Sequence, residues 1–299
     1  MTRETMTRAD VYQIVTDRIV DLLDRGTVPW HKPWSGADVD GTPRNLRSGK
    51  PYRGINVFLL GCARYSSPYF LTFKQVLELG GCVRKGEKGM PVIFWKRLRV
   101  DDRENPGTAK LIPMARYYTV FNVEQCDGLK VPSVAAPARP EGFSPIAEAE
   151  AVVSGYENPP TIAHAPGGAF YRPSTDTINM PERESFDSPA HYYATLFHEL
   201  GHSTGHGSRL AREGITRRNG FGSHLYSKEE LVAEMTAAML CGLTGIDGSG
   251  VLDNSAAYIA NWLGVLKGDR KLVVLAAANA QRAADRILGT KWDAEGETL

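Results

Sequence analysis

The sequence predicts an α+β protein of two domains, and three observations support this prediction. The chain has 299 residues, which is enough for two domains of ordinary size. Residues 1–130 hold 21 Lys and Arg against 14 Asp and Glu, a net charge of +7, whereas residues 131–299 hold 14 against 20, a net of −6. Helical and strand patterns alternate in the basic half, and helical patterns dominate the acidic half.

The predicted domain boundary lies in the stretch VPSVAAPARPEGFSP, which is rich in Pro and Ala and has no hydrophobic period. Such a composition is typical of a linker rather than of a packed element. We therefore predict a first domain over residues 1–130, a linker over 131–144 and a second domain over 145–299.

Two helices are predicted in the first domain. Apolar residues recur at helical spacing over residues 7–26, with Thr7 as the N-cap and Gly26 as the C-cap. The run LTFKQVLELGG predicts a second helix, in which Thr72 and Gln75 form a capping box. A third run, RGINVFLLGCARY, fits either a short helix or a buried strand.

Strand patterns occur in both domains. In the first, the β-rich runs MPVIFWKRLRV and MARYYTVFNV are joined by DDRENPG and predict an antiparallel hairpin. In the second, AFYRPSTDTINM predicts a smaller hairpin, and helical patterns cover residues 146–156, 189–204, 227–243 and 255–288. The second domain is therefore predicted to be mainly helical, with a small antiparallel sheet.

The composition predicts a cytoplasmic protein. Hydrophobic residues make up 42% of the chain, as in soluble globular proteins. No apolar run reaches the roughly 18–20 residues that span a bilayer, and the polar N-terminal stretch lacks an apolar signal segment. The four cysteines are far apart and form no CxxC pair, which is typical of reduced thiols. We expect no membrane partner, and no pattern indicates an oligomeric state.

The strongest motif is HExxH, formed by His198, Glu199 and His202. Positions four apart lie on one face of a helix, so both imidazoles can reach one metal ion. Glu199 lies between them and can take a proton from a metal-bound water, as the base of a peptidase does. A chance match is expected about 0.01 times in a chain of this composition. We therefore predict His198 and His202 as metal ligands and Glu199 as the catalytic residue.

A catalytic zinc site needs a third protein ligand and an open fourth position. The pattern HExxHxxGxxH fails here, because its last position is Ser208 and His206 comes two residues too early. The other route takes a glutamate from the later segment SKEELVAEMTAAML, whose candidates are Glu229, Glu230 and Glu234.

The helical wheel of that segment separates the three glutamates. Glu229 points away from the apolar face and is expected to face solvent. Glu230 and Glu234 lie one turn apart along the edge of that face. We predict Glu230 as the third ligand and Glu234 as the carboxylate that orients a histidine. Two histidines and one glutamate suit Zn²⁺, with Mn²⁺ as the alternative.

A peptidase also needs a group that stabilises the transition state. Tyr226, His224 and His206 are the candidates, and spacing does not choose among them; we take Tyr226 as the candidate residue. The run AFYRPSTDTINM is a hypothesis for the strand that receives an extended peptide by backbone pairing.

The basic residues of the first domain predict a polyanionic partner. Residues 44–99 hold 12 Lys and Arg against two acids. Aromatic residues are interleaved with them, as in proteins that bind single-stranded nucleic acid. Phe58, Phe73 and Phe94 are expected in the core rather than at the DNA. The predicted DNA-binding residues are Arg44, Arg47, Lys50, Tyr52, Arg53, Lys74, Arg84, Lys85, Lys88 and Lys96.

Both halves resemble the ArdC-type antirestriction proteins. VYQIVTDRIVDLLDRGTVPWHKPW, PRNLRSGKPYRGINVFLL, SSPYFLTFKQVLELGGCVRKGEKGMPVIFW and FNVEQC are similar to the N-terminal single-stranded-DNA-binding domain of that family. Plasmid primases of the TraC type carry a similar segment. FYRPSTDTINMPERESFDSPAHYYATLFHELGHSTGHGSRL and EELVAEM are similar to the zincin-like metallopeptidase domain of the same family.

The resemblance implies a protein of conjugative plasmids that binds single-stranded DNA and shields incoming DNA from restriction endonucleases. It implies His198 and His202 as metal ligands, Glu199 as the base and a glutamate of EELVAE as the third ligand, as in a gluzincin. The candidate protein substrate is a restriction endonuclease or another protein. The alternative is a DNA-binding shield with an inactive, structural zincin domain. The intact Glu199 favours an active peptidase domain, because an inactive site has no chemical need for a base.

Overall fold

A computed structural model describes residues 10–30, 42–63, 65–101, 109–132, 144–217, 224–246 and 256–290. Within them, the helices are α1 (Val11–Asp24), α2 (Ile55–Gly61), α3 (Phe73–Glu78), α4 (Pro145–Gly155), α5 (Pro189–Ser203), α6 (Glu213–Thr216), α7 (His224–Thr244), α8 (Ala256–Gly268) and α9 (Leu272–Ile287). The strands are β1 (Arg44–Asn45), β2 (Tyr69–Thr72), β3 (Cys82–Val83), β4 (Met90–Asp101), β5 (Ala109–Asn122), β6 (Cys126–Asp127), β7 (Thr161–His164), β8 (Phe170–Arg172) and β9 (Thr177–Met180). The predicted α+β class is confirmed. None of the helices in these ranges is long and apolar enough to cross a membrane.

Helix α1 begins at Val11 because Asp10 caps it. The Asp10 carboxylate accepts a hydrogen bond from the backbone N–H of Tyr12 at 3.0 Å, which satisfies a donor that the first turn leaves free. The predicted cap at Thr7 lies outside the described residues. Gly26 follows the helix with φ +74°, the left-handed conformation that ends many helices.

The run that fits either a helix or a strand forms helix α2. Its first six residues are all buried, so it has no polar face from which a helical period could be read. The N–H of the preceding Gly54 donates to the Gln281 side chain of α9 at 3.0 Å. Helix α2 therefore begins in contact with the second half.

The predicted hairpin of the first half is confirmed, with β4 antiparallel to β5 and Met90 opposite Val120. The sheet has the order β1-β2-β5-β4, so β4 is an edge strand. Asn56 of α2 covers this edge, because its side-chain amide donates to the Ile93 carbonyl and accepts from the Ile93 N–H, each at 2.7 Å. This double hydrogen bond fixes α2 on the sheet.

The second half is mainly helical, as predicted, but its small sheet is mixed rather than antiparallel. Strands β8 and β9 form the predicted hairpin, whereas β7 pairs parallel with β9. The order β7-β9-β8 makes β8 an edge strand. The parallel strand comes from residues 161–164, upstream of the run that predicted the hairpin, so the hairpin pattern carried no sign of it.

One hydrophobic core joins the two halves. Buried residues of α1 and α2 pack with buried residues of α7, α8 and α9. From the first half these are Val15, Ile19, Leu23, Val28, Trp30, Ile55, Phe58, Leu59 and Ile93. From the second half they include Leu231, Val232, Met235, Trp262, Leu266, Leu272 and Val273. Helix α1, which the sequence places in the first domain, thus contributes to the core beneath the helices of the second.

Polar contacts cross the same junction. Arg53 forms an ion pair with Asp285 of α9. The Thr16 hydroxyl donates to the Arg270 carbonyl at 2.8 Å, and Arg270 pairs with Asp10 at 2.5 Å. Because hydrogen bonds are directional, these contacts fix the orientation of α1 against the second half.

Replacing Leu23 with Ala should lower the free energy of unfolding by about 2–5 kcal/mol, because a buried leucine is removed from the core that joins the halves. Urea unfolding followed by circular dichroism and by tryptophan fluorescence measures it. We expect one shared transition. The matched control is Leu275→Ala, since Leu275 lies on α9 with 36% of its surface exposed. Two separate unfolding transitions, of which Leu23→Ala shifts the urea midpoint of only one, would contradict the shared core.

Candidate functional site

Helix α5 carries the two histidines of the HExxH motif. It begins at Pro189, where the Ser188 hydroxyl accepts from the His191 N–H at 3.2 Å. The helical repeat brings His198 and His202 onto one face, with their Nε2 atoms 3.1 Å apart. The motif therefore presents two nitrogen donors to the same point.

Gly201 lets α7 approach α5 closely. A Cβ at this position would lie 3.1 Å from the Ala233 Cα and 3.3 Å from its carbonyl oxygen. Only a glycine fits without displacing the α7 backbone. Glu230 is three residues before Ala233, so this contact places its carboxylate beside the histidine rings.

His198, His202 and Glu230 form a cluster whose ligand atoms lie within 4.8 Å of one another. Glu230 Oε2 is 3.6 Å from His198 Nε2, and Glu230 Oε1 is 3.6 Å from His202 Nε2. Ligand atoms about 2.1 Å from a tetrahedral ion lie about 3.4 Å from one another. The three residues therefore fit a single metal ion such as Zn²⁺.

Glu199 lies on α5 between the two histidines and is buried. Its charge contributes to the raised pKa of His202, which places it close to the cluster. Glu199 therefore lies beside the candidate ligands without belonging to the cluster, which leaves its carboxylate available as a base.

The prediction that Glu229 faces solvent is wrong, because its exposed fraction is 5%. Glu229 Oε1 lies 3.5 Å from His202 Nδ1, the ring nitrogen on the side away from Glu230. A wheel of one helix could not show this, since α6 and Arg212 cover that side of α7. The structure therefore places Glu229, rather than Glu234, against a histidine ring.

Arg212 holds Glu229 in place. Its Nε donates to Glu229 Oε2 at 3.0 Å and its Nη2 to Oε1 at 2.5 Å. The same guanidinium donates to the carbonyl of Gly201 at 2.8 Å and to the Thr204 hydroxyl at 2.6 Å, at the end of α5. Arg212 thus links the helix that carries the histidines to the carboxylate that contacts His202.

Glu234 has other partners than the predicted ones. Its Oε2 accepts from the Trp30 indole N–H at 2.7 Å and from the Tyr258 hydroxyl. Burial raises the pKa of Glu234 to about 7, although Tyr258 and Trp30 act in the opposite direction. Glu234 therefore connects α7 to the segment after α1 and to α8, which the sequence pattern did not indicate.

The charges of the cluster stabilise one another. Burial acts to raise the pKa of Glu230 and to lower that of His202. Contacts among Glu230, His198, His202 and Glu229 outweigh it, so the pKa of Glu230 is lowered and that of His202 is raised to about 10. A metal ion that binds His202 would therefore compete with a proton for the ring nitrogen.

Of the three candidates for transition-state stabilisation, His206 has a side chain within the described part of the structure. Tyr226 and His224 lie in α7, but their side chains fall outside the described part of the structure. His206 Nδ1 lies 2.8 Å from the Ser208 hydroxyl and accepts from the Ser208 N–H at 3.2 Å. This local turn gives His206 partners of its own.

Two of the predicted DNA-binding residues make contacts inside the protein, and for Tyr52 these contacts overturn the prediction. Tyr52 is buried among Phe70 and Phe94, with ring centroids 6.3 Å and 6.1 Å away, so it presents no face to a base. Arg53 forms its ion pair with Asp285 at the junction of the two halves. The role of Arg53 in DNA binding stays a prediction.

The other predicted residues differ in their surroundings. Arg47 and Lys74 both pair with Glu78, and Arg84 pairs with Glu87. Exposed positions are held by Lys50, Lys85 and Lys88, and Arg44 is half-buried. Lys96 lies in β4, but its side chain falls outside the described part of the structure. Their role in DNA binding stays a prediction.

The three phenylalanines expected in the core differ in their exposure. Phe58 is buried, and Phe94 packs against a buried cluster. The expectation for Phe73 is wrong, because 53% of its surface is exposed. It is the first residue of α3, and a helical pattern does not reveal which positions of a six-residue helix face the sheet.

Family models match both halves of the chain. The model described as the N-terminal domain of anti-restriction factor ArdC matches residues 9–121, and the model described as a zincin-like metallopeptidase matches residues 147–279. The fold and the His-His-Glu cluster thus define a protein with a zincin-like domain behind an ArdC-type N-terminal domain.

Several proteins are similar to this chain over nearly its whole length. The metal-free crystal structure of the antirestriction protein ArdC from plasmid R388 aligns with a TM-score of 0.73 at 39% identity, covering 94% of this chain and 97% of that one. Its Mn(II)-bound structure aligns with a TM-score of 0.72 at 38% identity, covering 94% and 98%. The protein y4eC of Sinorhizobium fredii is 36% identical over 98% of this chain and 96% of its own length. The chain belongs to the ArdC antirestriction family.

The chain is also similar to part of two larger proteins. A DNA primase TraC of Escherichia coli is 38% identical over 93% of this chain, and a second one is 36% identical over 93%. The chain spans 20% and 27% of the length of these primases.

Replacing Gly201 with Ala should force α5 and α7 apart, because the new Cβ meets the Ala233 backbone. We expect a loss of about 1–3 kcal/mol in the free energy of unfolding and weaker Zn²⁺ binding. Chemical unfolding and titration calorimetry measure these effects. Gly264→Ala in α8 is the control, since nothing lies within 4 Å of a Cβ there. Unchanged Zn²⁺ affinity in Gly201→Ala would count against this account of the helix contact.

Replacing Glu229 with Gln should weaken Zn²⁺ binding about 10- to 100-fold, because an amide orients the His202 ring less strongly than a carboxylate does. Titration calorimetry measures the affinity. Glu213→Gln is the matched control, because Glu213 forms an exposed ion pair with Arg217. Equal affinities for both variants and the unchanged protein would sink the positioning role of Glu229.

Proposed function

We propose that this protein combines a metal-dependent peptidase site in its second half with single-stranded-DNA binding in its first half. Together these activities would protect DNA that enters a cell from restriction endonucleases. The observation that carries the proposal is the His198–His202–Glu230 cluster on a zincin-like domain, with Glu199 beside it. The antirestriction role follows from the family to which the chain belongs.

The proposed ligands are His198 and His202 through Nε2 and Glu230 through its carboxylate. These three residues would hold a divalent ion, which when bound would supply a polarised water and a Lewis acid for hydrolysis. Glu199, buried beside these ligands, would serve as the general base and later as the proton donor to the leaving amine. Glu229 would orient the ring of His202 through its charge, 3.5 Å from Nδ1, and Arg212 pairs with Glu229.

The proposed ion is Zn²⁺, with Mn²⁺ as the alternative. The donor set suits zinc, and carboxylate ligands are also accepted by manganese. The R388 relative has been solved with Mn(II), which supports a divalent ion at this type of site. Metal analysis of protein purified without added metal identifies the resident ion.

The proposed peptide site is the edge strand β8. Strand β8 is the outer member of the order β7-β9-β8, and it packs against α5. An extended substrate can add to such an edge through backbone hydrogen bonds. We propose a restriction endonuclease or another DNA-processing protein as the substrate.

Single-stranded DNA is the proposed partner of the first half. The excess of 12 basic residues over two acids in residues 44–99 supports it, as does the match to the N-terminal domain of ArdC. The cytoplasm, where incoming DNA meets restriction enzymes, is the proposed location.

Replacing Glu199 with Gln tests the peptidase half. The amide cannot accept a proton, so cleavage should fall by about 100-fold or more while Zn²⁺ binding persists. Labelled casein and a purified restriction endonuclease are the substrates, and calorimetry follows the metal. Glu230→Gln is the companion variant, which should lose Zn²⁺ as well as activity.

Protection of DNA against endonuclease digestion is measured with the same proteins. If Glu199→Gln protects as well as the unchanged protein, the zincin domain acts as a structural part of a DNA-binding shield. If the Zn²⁺- and Mn²⁺-loaded protein cleaves neither substrate, the proposed peptidase activity is wrong.

A further inference from the structure

A buried hydrogen-bond cluster connects the segment after α1 to the helix that carries Glu230. We call it the indole anchor and define it as Trp30, Glu234 and Tyr258. The Trp30 indole N–H lies 2.7 Å from Glu234 Oε2 and 3.1 Å from the Tyr258 hydroxyl oxygen, and that hydroxyl donates to the same Glu234 oxygen. The Glu234 carboxylate therefore accepts from one donor of the first half and one donor of α8.

The indole anchor lies one helical turn from a candidate metal ligand. Glu234 follows Glu230 by four positions on α7, so the two side chains leave the helix about 40° apart. Burial acts most strongly to raise the pKa of Glu234, and the charges of His198 and Glu230 also act on it, so its carboxyl lies near both candidate ligands. A displacement of Glu234 would therefore move the helix face that presents Glu230.

Trp30 is itself fixed by the core that joins the two halves. Its side chain is fully buried, and its ring lies edge-on to Trp262 of α8, with ring centroids 5.8 Å apart. Val28 of the same segment is buried in this core as well. Because packing holds the ring, its N–H has a defined direction, and a hydrogen bond from it constrains where Glu234 can lie.

Helix α7 is held on two sides, and Glu230 lies between them. On one side Arg212 pairs with Glu229, and on the other the indole anchor holds Glu234. Viewed down the helix axis, Glu230 is about 100° from Glu229 and about 40° from Glu234, between the two held positions. The contact at Gly201 sets the distance between α5 and α7, whereas these two contacts set the rotation of α7 about its axis.

Core filling alone does not account for the indole anchor. Glu234 is buried, and its helical neighbours Leu231 and Met235 belong to the core. An apolar side chain of similar size would avoid the cost of burying a carboxylate there. Trp262 fills the same core, although its indole N–H has no hydrogen-bond partner among the described residues. The hydrogen bonds of Trp30 are therefore a feature that packing does not require.

We infer that Trp30 is a positioning residue of the candidate metal centre, which acts through Glu234 to place Glu230 beside the two histidines. The inference rests on the metal site proposed above and adds a residue that lies outside the zincin-like match over residues 147–279. The affinity of the second half for its metal ion thus depends on the first half.

Titration calorimetry with Zn²⁺ on the full-length protein tests the inference. Trp30→Phe keeps an aromatic ring but removes the N–H, so Glu234 loses a donor and Zn²⁺ binding should weaken about 10-fold. The matched control is Trp262→Phe, which makes the same change in the same core and should alter the affinity by less than about 2-fold. Both variants lose the packing of an indole, so the difference between them isolates the hydrogen bond.

A double-mutant cycle shows whether Trp30 acts through Glu234. Glu234→Leu removes the acceptor and should also weaken Zn²⁺ binding. In that background Trp30→Phe should change the affinity by less than about 2-fold, because the hydrogen bond is already absent. Additive losses would mean that Trp30 acts through packing, and the inference would be overturned.

Thermal unfolding establishes that each variant is folded. If Trp30→Phe does not fold, Tyr258→Phe tests the same anchor, since it removes the other donor to Glu234 and should bind Zn²⁺ more weakly than Trp262→Phe does. Equal Zn²⁺ affinities for the anchor variant and Trp262→Phe would make Trp30 a structural residue only and contradict the inference. If the unchanged protein binds no Zn²⁺, the proposed metal site itself fails.

Discussion

The close approach of α5 and α7 at Gly201 is the contact on which the candidate metal centre depends. The two histidines belong to one helix and Glu230 to the other, so their separation is set by the distance between the helix axes. A side chain at position 201 would widen that distance, because its Cβ would reach the Ala233 backbone. The cluster is therefore a property of helix packing as much as of the HExxH motif.

Contacts at the junction between the halves extend to the candidate metal centre. Trp30, which follows α1, donates its indole N–H to Glu234, and Glu234 is one turn after Glu230 on α7. A buried carboxylate without such donors would cost free energy, so Trp30 and Tyr258 make its position tolerable. The first half thus supplies a partner for a buried carboxylate of the second half. The family models nevertheless match the two halves as separate domains.

Local patterns predicted the elements, and tertiary contacts decided the roles of single residues. The hairpin of β4 and β5, the capping box at Thr72 and the HExxH helix follow from neighbours in sequence, which a pattern contains. The role of Glu229 depends on Arg212, 17 residues away in a separate segment, and no helical wheel includes it. The same limit explains why Glu234 was expected beside a histidine and lies instead beside Trp30.

The basic first half shows how a charge count and a binding surface differ. A basic excess predicts which half binds a polyanion, but several of its cations already have carboxylate partners, as Arg47 has in Glu78 and Arg53 in Asp285. Cations paired in this way contribute less to phosphate binding, since DNA must compete with the internal carboxylate. Aromatic rings have no internal carboxylate that competes with a ligand for them. Whether a ring is core or surface depends on its tertiary neighbours: in β5, Tyr118 packs against a core cluster, whereas the adjacent Tyr117 is 45% exposed.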